Sequence, residues 1–260
     1  MTHPTEQARD RLASSFGYQE VRPEDKSTLV GGVFARVAAH YDLMNDLMSA
    51  GVHRLWKAAM IDWLAPRPGL RLLDVAGGTG DIAFRVLDRL VRPRVAPPHI
   101  VVCDVNPHML EIGRDRAIDA NRLNAIDWLC ADAEALPLPD RSVDAYTIAF
   151  GIRNVTLIDR ALAEARRVLV PGGRFLCLEF ATVASPALRR AYDLYSFNVL
   201  PWLGGRVAGD QAAYRYLVES IRRFPAQATF ARMIEEAGLE HVRYRDLSGG
   251  IAAIHSAWRL

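Results

Sequence analysis

Residues 70–84 read Leu-Arg-Leu-Leu-Asp-Val-Ala-Gly-Gly-Thr-Gly-Asp-Ile-Ala-Phe. Leu70–Ala76 is a short apolar run of the kind that makes a buried strand. The glycines Gly77, Gly78 and Gly80 then turn the chain, and Asp81–Leu90 carries helical periodicity. Glycines at such a turn let backbone come close to a ligand, and the following helix aims its first N–H groups at that ligand.

The same alternation continues outward from this turn. Strands are expected at Ile100–Asp104, Ile126–Ala131, Val143–Phe150 and Arg174–Phe180. Helices are expected from Asn106–Pro107, read as cap and first helical residue, to about Ala120, and over Asp159–Leu169. Strands alternating with helices mean a mostly parallel sheet covered on both faces. The chain closes with a helix, Thr229–Ala237, and two strand-like runs, Glu240–Asp246 and Ile251–Trp258, joined by Gly249–Gly250; this pair is expected as an antiparallel hairpin. Upstream, a helix is expected to open after Gly31–Gly32 and run over Val33–Met48, and a second over His53–Leu64, stopped by Pro66, Pro68 and Gly69. The expected organisation is a polar N-terminal tail (1–30) and one α/β domain (31–260), with residues 181–226, aromatic and partly helical, inserted as a cap. The fold class is a Rossmann-like sandwich of seven strands.

The 260 residues are 50% apolar and 24% charged with a net charge of +2, which excludes a disordered chain and offers no basic footprint for nucleic acid. No apolar stretch reaches bilayer-spanning length, and no secretory signal is visible at the start. Cys103, Cys130 and Cys177 are far apart and form neither a disulfide set nor a CxxC metal pair, so they are read as reduced core residues of a cytoplasmic protein, with no metal expected.

The glycine turn indicates a nucleoside without choosing it. Gly78, Gly80 and Ala83 satisfy the dinucleotide pattern G-x-G-x-x-G/A, and Asp104 stands where a ribose-binding acid belongs. Asp74, directly before the glycines, would repel a pyrophosphate but suits the ammonium of an amino-acid moiety. A second acidic turn, Asp132-Ala133-Glu134, follows the third strand, where an adenine edge could be read. With Arg167–Gly173 leading into a strand, these features resemble the class I S-adenosylmethionine (SAM) fold.

More specific are Tyr41-Asp42-Leu43-Met44-Asn45-Asp46-Leu47-Met48-Ser49 followed by His53 and Trp56, then Phe150-Gly151-Ile152-Arg153-Asn154-Val155-Thr156, then Ala191–Phe197 and Tyr214-Arg215-Tyr216-Leu217. Together they resemble the ubiquinone/menaquinone biosynthesis C-methyltransferase family (UbiE-like), from about Gly32 to the C-terminus. The resemblance implies SAM-dependent methylation of a ring carbon in a polyprenylated quinol, 2-methoxy-6-polyprenyl-1,4-benzoquinol or demethylmenaquinol. It implies SAM contacts at Thr79, Asp104, Asp132 and Ala133, and at Ala149, where family members often carry Ser. Val170 and Ala181 also depart from the family, which often has Lys and Ser there. Asp74, Gly78 and Gly80 complete the expected cofactor set.

For the chemistry, Arg153 is the first candidate, to stabilise a phenolate, with Tyr41 on the same oxygen. Asp42, His40 and His53 are candidate bases. Asn154, Tyr195 and Phe197 are candidate walls of the acceptor pocket, within an aromatic insert that also reads as core or as a dimer contact. Arg153 with Asn154 reads equally as a loop brace, and His53 with Trp56 as a buttress. Arginines 189, 190, 206, 215, 222 and 223 would suit peripheral contact with anionic lipid. A homodimer or a quinone-biosynthesis complex is the expected company. The competing functions are an NAD(P)-dependent oxidoreductase, a methyltransferase acting on another small phenol, and a non-catalytic SAM- or quinol-binding subunit.

Overall fold

A computed structural model of the chain describes residues 4–37, 46, 49, 51–90, 96–183, 185–199 and 210–260. The chain begins with α1 (Pro4–Ala13), a two-residue hairpin of β1 (Ser15–Phe16) and β2 (Gln19–Glu20), and α2 (Pro23–Val37). Thus the segment expected as a polar tail is structured. Ala8 and Leu12 of α1 are buried, and Thr5 and Arg9 reach Glu236 at 3.0 and 2.6 Å. Its apolar residues are few but correctly spaced for one face, so polarity overall concealed a docked helix. The helix expected to open after Gly31–Gly32 instead opens at Pro23 and passes through both glycines. Proline at the first position and Glu24 and Asp25 in the first turn are the stronger start signals.

Next come α3 (His53–Leu64), β3 (Arg71–Val75), α4 (Asp81–Leu90), β4 (His99–Asp104), α5 (Pro107–Asp119), β5 (Ile126–Cys130), β6 (Val143–Ala149), α6 (Ile158–Val168) and β7 (Leu169–Phe180). Asn106 caps α5, its side chain accepting from the His108 N–H at 3.0 Å. The cap contributes α7 (Pro186–Leu194), a π-helical turn (Tyr195–Val199) and α8 (Gln211–Arg223). The chain ends with α9 (Gln227–Glu236), β8 (Glu240–Leu247) and β9 (Ala252–Trp258).

The large sheet has the order β5-β4-β3-β6-β7-β9-β8, parallel except for β9, which pairs antiparallel with both β7 and β8. β3 has β4 on one side and β6 on the other, so the strand order reverses beside it. In open α/β sheets ligands bind at such a reversal, beyond the carboxyl ends of the strands. Apolar clusters fill both faces of the sheet. One gathers α3, α4 and α8 around Leu72, Val102 and Leu176; the other gathers α1, α6 and α9 around Leu73, Tyr146 and Phe175. Tyr214 and Tyr216 of the cap belong to the first cluster. Cys103 and Cys177 are buried, but Cys130 is exposed, because it is the last residue of edge strand β5.

Candidate active site

Beyond the carboxyl ends of β3, β4 and β6 lies a cleft of about 850 Å³, partly open to solvent. Val75, Ala76, Gly78 and Asp104 form its floor, and Asp132, Ala133 and Glu134 one side. The loop Phe150, Gly151, Asn154, Val155 and Thr156 forms another, and Ser27, Val30, Gly31 and Phe34 of α2 the facing wall. Gly31 has open space where a side chain would start, which keeps that wall clear of the cleft.

Asp104 is held by backbone. Its Oδ2 accepts from the Gly78 N–H and its Oδ1 from the Asn106 N–H, both at 2.9 Å. Burial pushes its carboxyl up from the usual range. Gly78, at φ +54°, brings its N–H onto that carboxylate in a conformation that favours glycine. Gly80, at φ +82°, lies against Trp128; a Cβ on it would sit 2.8 Å from the indole. Asp132 Oδ1 accepts from the Glu134 N–H at 2.9 Å. Glu134 Oε1 in turn accepts from the Thr156 and Leu157 N–H groups at 3.0 and 2.8 Å, tying the acidic turn to the loop across the cleft.

Behind the glycine turn is a second, much smaller cavity, lined by Lys57, Asp74, Ala76, Gly77, Thr79, Asp81, Ile82 and Ala149. Asp74, on β3, is fully buried. Its Oδ1 accepts from the Thr147 hydroxyl at 2.7 Å, and its Oδ2 finds no partner among the described residues. Burial pushes this carboxyl up to about 7, against the pull of the Thr147 bond and of Lys57. Thr79 is buried and accepts from Arg116 at 2.9 Å.

Arg153 lies beneath the cleft rather than among the residues that line it. Its Nη1 donates to the Phe150 carbonyl at 2.6 Å and to Glu179 Oε1 at 2.8 Å, and its guanidinium stands 5.6 Å from the centre of the Phe180 ring. Burial raises the Glu179 carboxyl. Its neighbour Asn154 does line the cleft, with Oδ1 accepting from Tyr216 Oη at 2.9 Å; the Tyr216 ring stacks on Phe16 at 4.3 Å. Tyr195 is half-buried against the core, whereas Phe197 is exposed under the Arg222 guanidinium. Tyr41, Asp42 and His40 lie outside the described residues. His53 is buried, 2.9 Å from Asp46, and Trp56 donates to Ser248 Oγ at 2.9 Å, so both brace α3.

Three contributors escaped the sequence reading. Glu179 sits in an otherwise apolar strand whose pattern marks no partner for it. The α2 wall was misplaced by the early glycines. Lys57 went unremarked, although it shares the buried face of α3 with Ile61 and Leu64, an unusual place for a lone lysine. Among the described residues no group of three or more His, Cys, Asp or Glu is placed to hold a metal ion, and no helix is long and apolar enough to cross a membrane.

A nucleoside end at Asp104 and an amino-acid end near Asp74 are what SAM requires. The orphaned Asp74 oxygen, on the wall of the smaller cavity, fits that group. The fold is that of the class I SAM-dependent methyltransferases. A SAM-dependent methyltransferase from Aquifex aeolicus matches with a TM-score of 0.57 at 15% identity, over 78% of this chain and 89% of that one. One from Thermotoga maritima matches with a TM-score of 0.61 at 20% identity, over 89% of this chain and all (100%) of that one.

Residues 21–259 match the ubiE/COQ5 methyltransferase family, and the chain belongs to it. It is 59% identical over 245 residues to the ubiquinone/menaquinone biosynthesis C-methyltransferase UbiE of Paracoccus denitrificans, covering 94% of this chain and 96% of that protein. It is 55% identical to the mitochondrial 2-methoxy-6-polyprenyl-1,4-benzoquinol methylase of Oryza sativa, covering 95% and 89%. The protein is therefore a methyltransferase with SAM as its cofactor, and the dinucleotide reading of Gly78-x-Gly80-x-x-Ala83 is set aside.

Proposed function

We propose that the enzyme transfers a methyl group from SAM to a ring carbon of a polyprenylated quinol, either 2-methoxy-6-polyprenyl-1,4-benzoquinol or demethylmenaquinol. The observation that carries this reading is the composition of the cleft. Val30, Phe34, Met109, Phe150 and Val155 give it an apolar wall directly beside the Asp104 and Asp132 end. Apolar lining with few polar groups suits a hydrophobic ring.

SAM supplies an electrophilic methyl on a sulfonium, displaced in line by the acceptor. The protein's task is to bind, align and dry the reactants. Asp104 holds the ribose hydroxyls, and the Asp132–Ala133 turn reads the adenine edge. Asn154, oriented by Tyr216, has an amide N–H group to offer a quinol oxygen at the cleft. Loss of the quinol hydroxyl proton makes the neighbouring ring carbon nucleophilic; after transfer the ring proton leaves to a base. Tyr41 and Asp42 remain the residues proposed to meet that oxygen and that proton. Arg153, from its buried pair, sets the Phe150–Asn154 turn and adds positive potential below the ring.

The exposed Leu194 and Phe197 of the cap, with Arg222 over the Phe197 ring, support peripheral contact with an anionic membrane at its cytoplasmic face. An insoluble tail also favours work in a homodimer or an assembly of quinone-biosynthesis enzymes.

The test is an assay with methyl-labelled SAM and each chemically reduced quinol in detergent, products resolved by mass. Label on a ring carbon is expected, and the faster quinol is the acceptor. No label on either, in protein that binds S-adenosylhomocysteine, would overturn the reading and point to another phenol or to a non-catalytic role.

A further inference from the structure

We propose that Lys26 and Glu134 are positioning residues for the methyl transfer. From opposite sides they grip the one peptide group between Val155 and Thr156, and so fix the stretch of loop that brings Asn154 and Val155 to the cleft. The inference rests on the reading that this cleft holds the quinol ring.

Lys26 lies in the first turns of α2 and is only 1% exposed, where an ammonium is rarely found. It precedes Ser27, from which the helix carries Val30, Gly31 and Phe34 along the cleft at helical spacing. Its Nζ donates at 2.6 Å to the Leu12 carbonyl, in the last turn of α1, where carbonyls have no donor inside the helix and favour a cation. The same Nζ donates at 3.1 Å to the Val155 carbonyl. One ammonium thus ties together α1, α2 and the loop after β6. Lys26 does not itself line the cleft, so its influence on an acceptor passes through that loop and through α2.

A trans peptide is planar, with its C=O and N–H directed to opposite sides. The C=O of Val155 meets Lys26, and the N–H of the same unit, on Thr156, meets Glu134 Oε1 at 3.0 Å. The Leu157 N–H adds a second bond to that oxygen at 2.8 Å. Hydrogen bonds to charged groups are stronger than neutral ones, and a cation on the C=O polarises the N–H toward the anion beyond it. Burial pushes the Lys26 ammonium down to about 8, against the pull of Glu134 on the far side of the peptide. Asn154, immediately before the gripped unit, lines the cleft with its amide oriented by Tyr216. Tyr216 sets which way that amide turns; Lys26 and Glu134 set where it stands.

The test is turnover of the reduced quinol in Lys26→Met, Glu134→Ala and the double variant, counted per site that binds S-adenosylhomocysteine by calorimetry. Each single variant is expected to lose roughly 10- to 100-fold in kcat, the cost of a small misplacement of reacting groups, and to keep S-adenosylhomocysteine affinity within about threefold. Because both residues act through one peptide group, the double variant is expected to fall no more than about threefold below the less active single one; independent roles would multiply. A kcat within about twofold of wild type in Lys26→Met marks a mere brace and overturns the proposal. Multiplied losses in the double variant, or loss of S-adenosylhomocysteine binding in step with turnover, overturn it too. If Lys26→Met does not fold, Glu134→Ala decides alone, and an unchanged kcat there refutes the grip. A wild-type enzyme that methylates neither quinol would strike instead at the quinol reading on which the inference rests.

Discussion

Arg153 Nη1 and Glu179 Oε1 meet at 2.8 Å with their side chains only 3% and 1% exposed, beneath the loop that borders the reaction cleft. Removing one member of such a pair leaves a buried charge unmatched. Arg153→Ala should therefore cost about 3–5 kcal/mol in stability, measured by urea unfolding. Loss of turnover in that variant would not by itself show a chemical role. Arg153→Met with Glu179→Leu should regain much of the stability; turnover that stays low in the double variant indicates that the guanidinium field matters, and restored turnover indicates a brace.

Asp74 predicts pH-dependent cofactor binding. Its carboxyl is held up to about 7 by burial, and an arriving ammonium favours the ionised form. Binding should thus release a fraction of a proton near pH 7, and affinity should rise from pH 6 to 8 and then level off. Calorimetry in buffers of differing ionisation enthalpy reads the release directly, and Asp74→Asn should abolish it.

The same group sets a stability trend with the opposite benefit. Because its folded pKa lies above the ordinary carboxylate value, the ligand-free fold holds more protons than the unfolded chain between about pH 4 and 7. This group's contribution to stability falls as pH rises through that window. Asp74→Asn should raise the Tm of the ligand-free protein by a few degrees at pH 8, and by less at pH 5.

Asp104→Ala removes the acceptor of the Gly78 and Asn106 N–H groups as well as the proposed ribose partner. It should weaken S-adenosylhomocysteine and 5′-methylthioadenosine alike, by about 10-fold or more. A loss confined to the ligand carrying the amino-acid end would contradict the placement.

Gly113 of α5 lies against Trp128 so closely that a Cβ would fall on the indole ring. Gly113→Ala should cost about 1–3 kcal/mol and shift the tryptophan, seen in urea unfolding and intrinsic fluorescence.

Much of this framework is legible in the amino-acid sequence. His53–Leu64 and Asp81–Leu90 were read to their last residues, because prolines and a glycine turn mark their ends and one apolar stripe runs through each. The β8–β9 hairpin follows from two strand-like runs joined by Gly249–Gly250. The start of α2 was not legible because Gly31–Gly32 looked like a break, whereas tertiary packing along the cleft overrides their weak propensity. Nor could the cap be divided. Tyr214 and Tyr216 are core and Phe197 is surface, yet all three are aromatic residues in one insert. In the site, the acids at strand ends were legible by position. The Arg153 pairing was not, since Glu179 is 26 residues away on the next strand and nothing in its local pattern marks it as a partner.

The contact of Thr5 and Arg9 with Glu236 bears on how the chain is made. The helix α1 has its carboxylate partner more than two hundred residues later, at a separation of 231 from Thr5. Lys26, whose Nζ donates to the Leu12 carbonyl at 2.6 Å and the Val155 carbonyl at 3.1 Å, waits likewise for the cleft loop. The docking of α1 consequently waits for α9, and the anchoring of the α2 wall through Lys26 waits for the loop at Val155, so both rest on contacts between distant parts of the chain, which are slow to form.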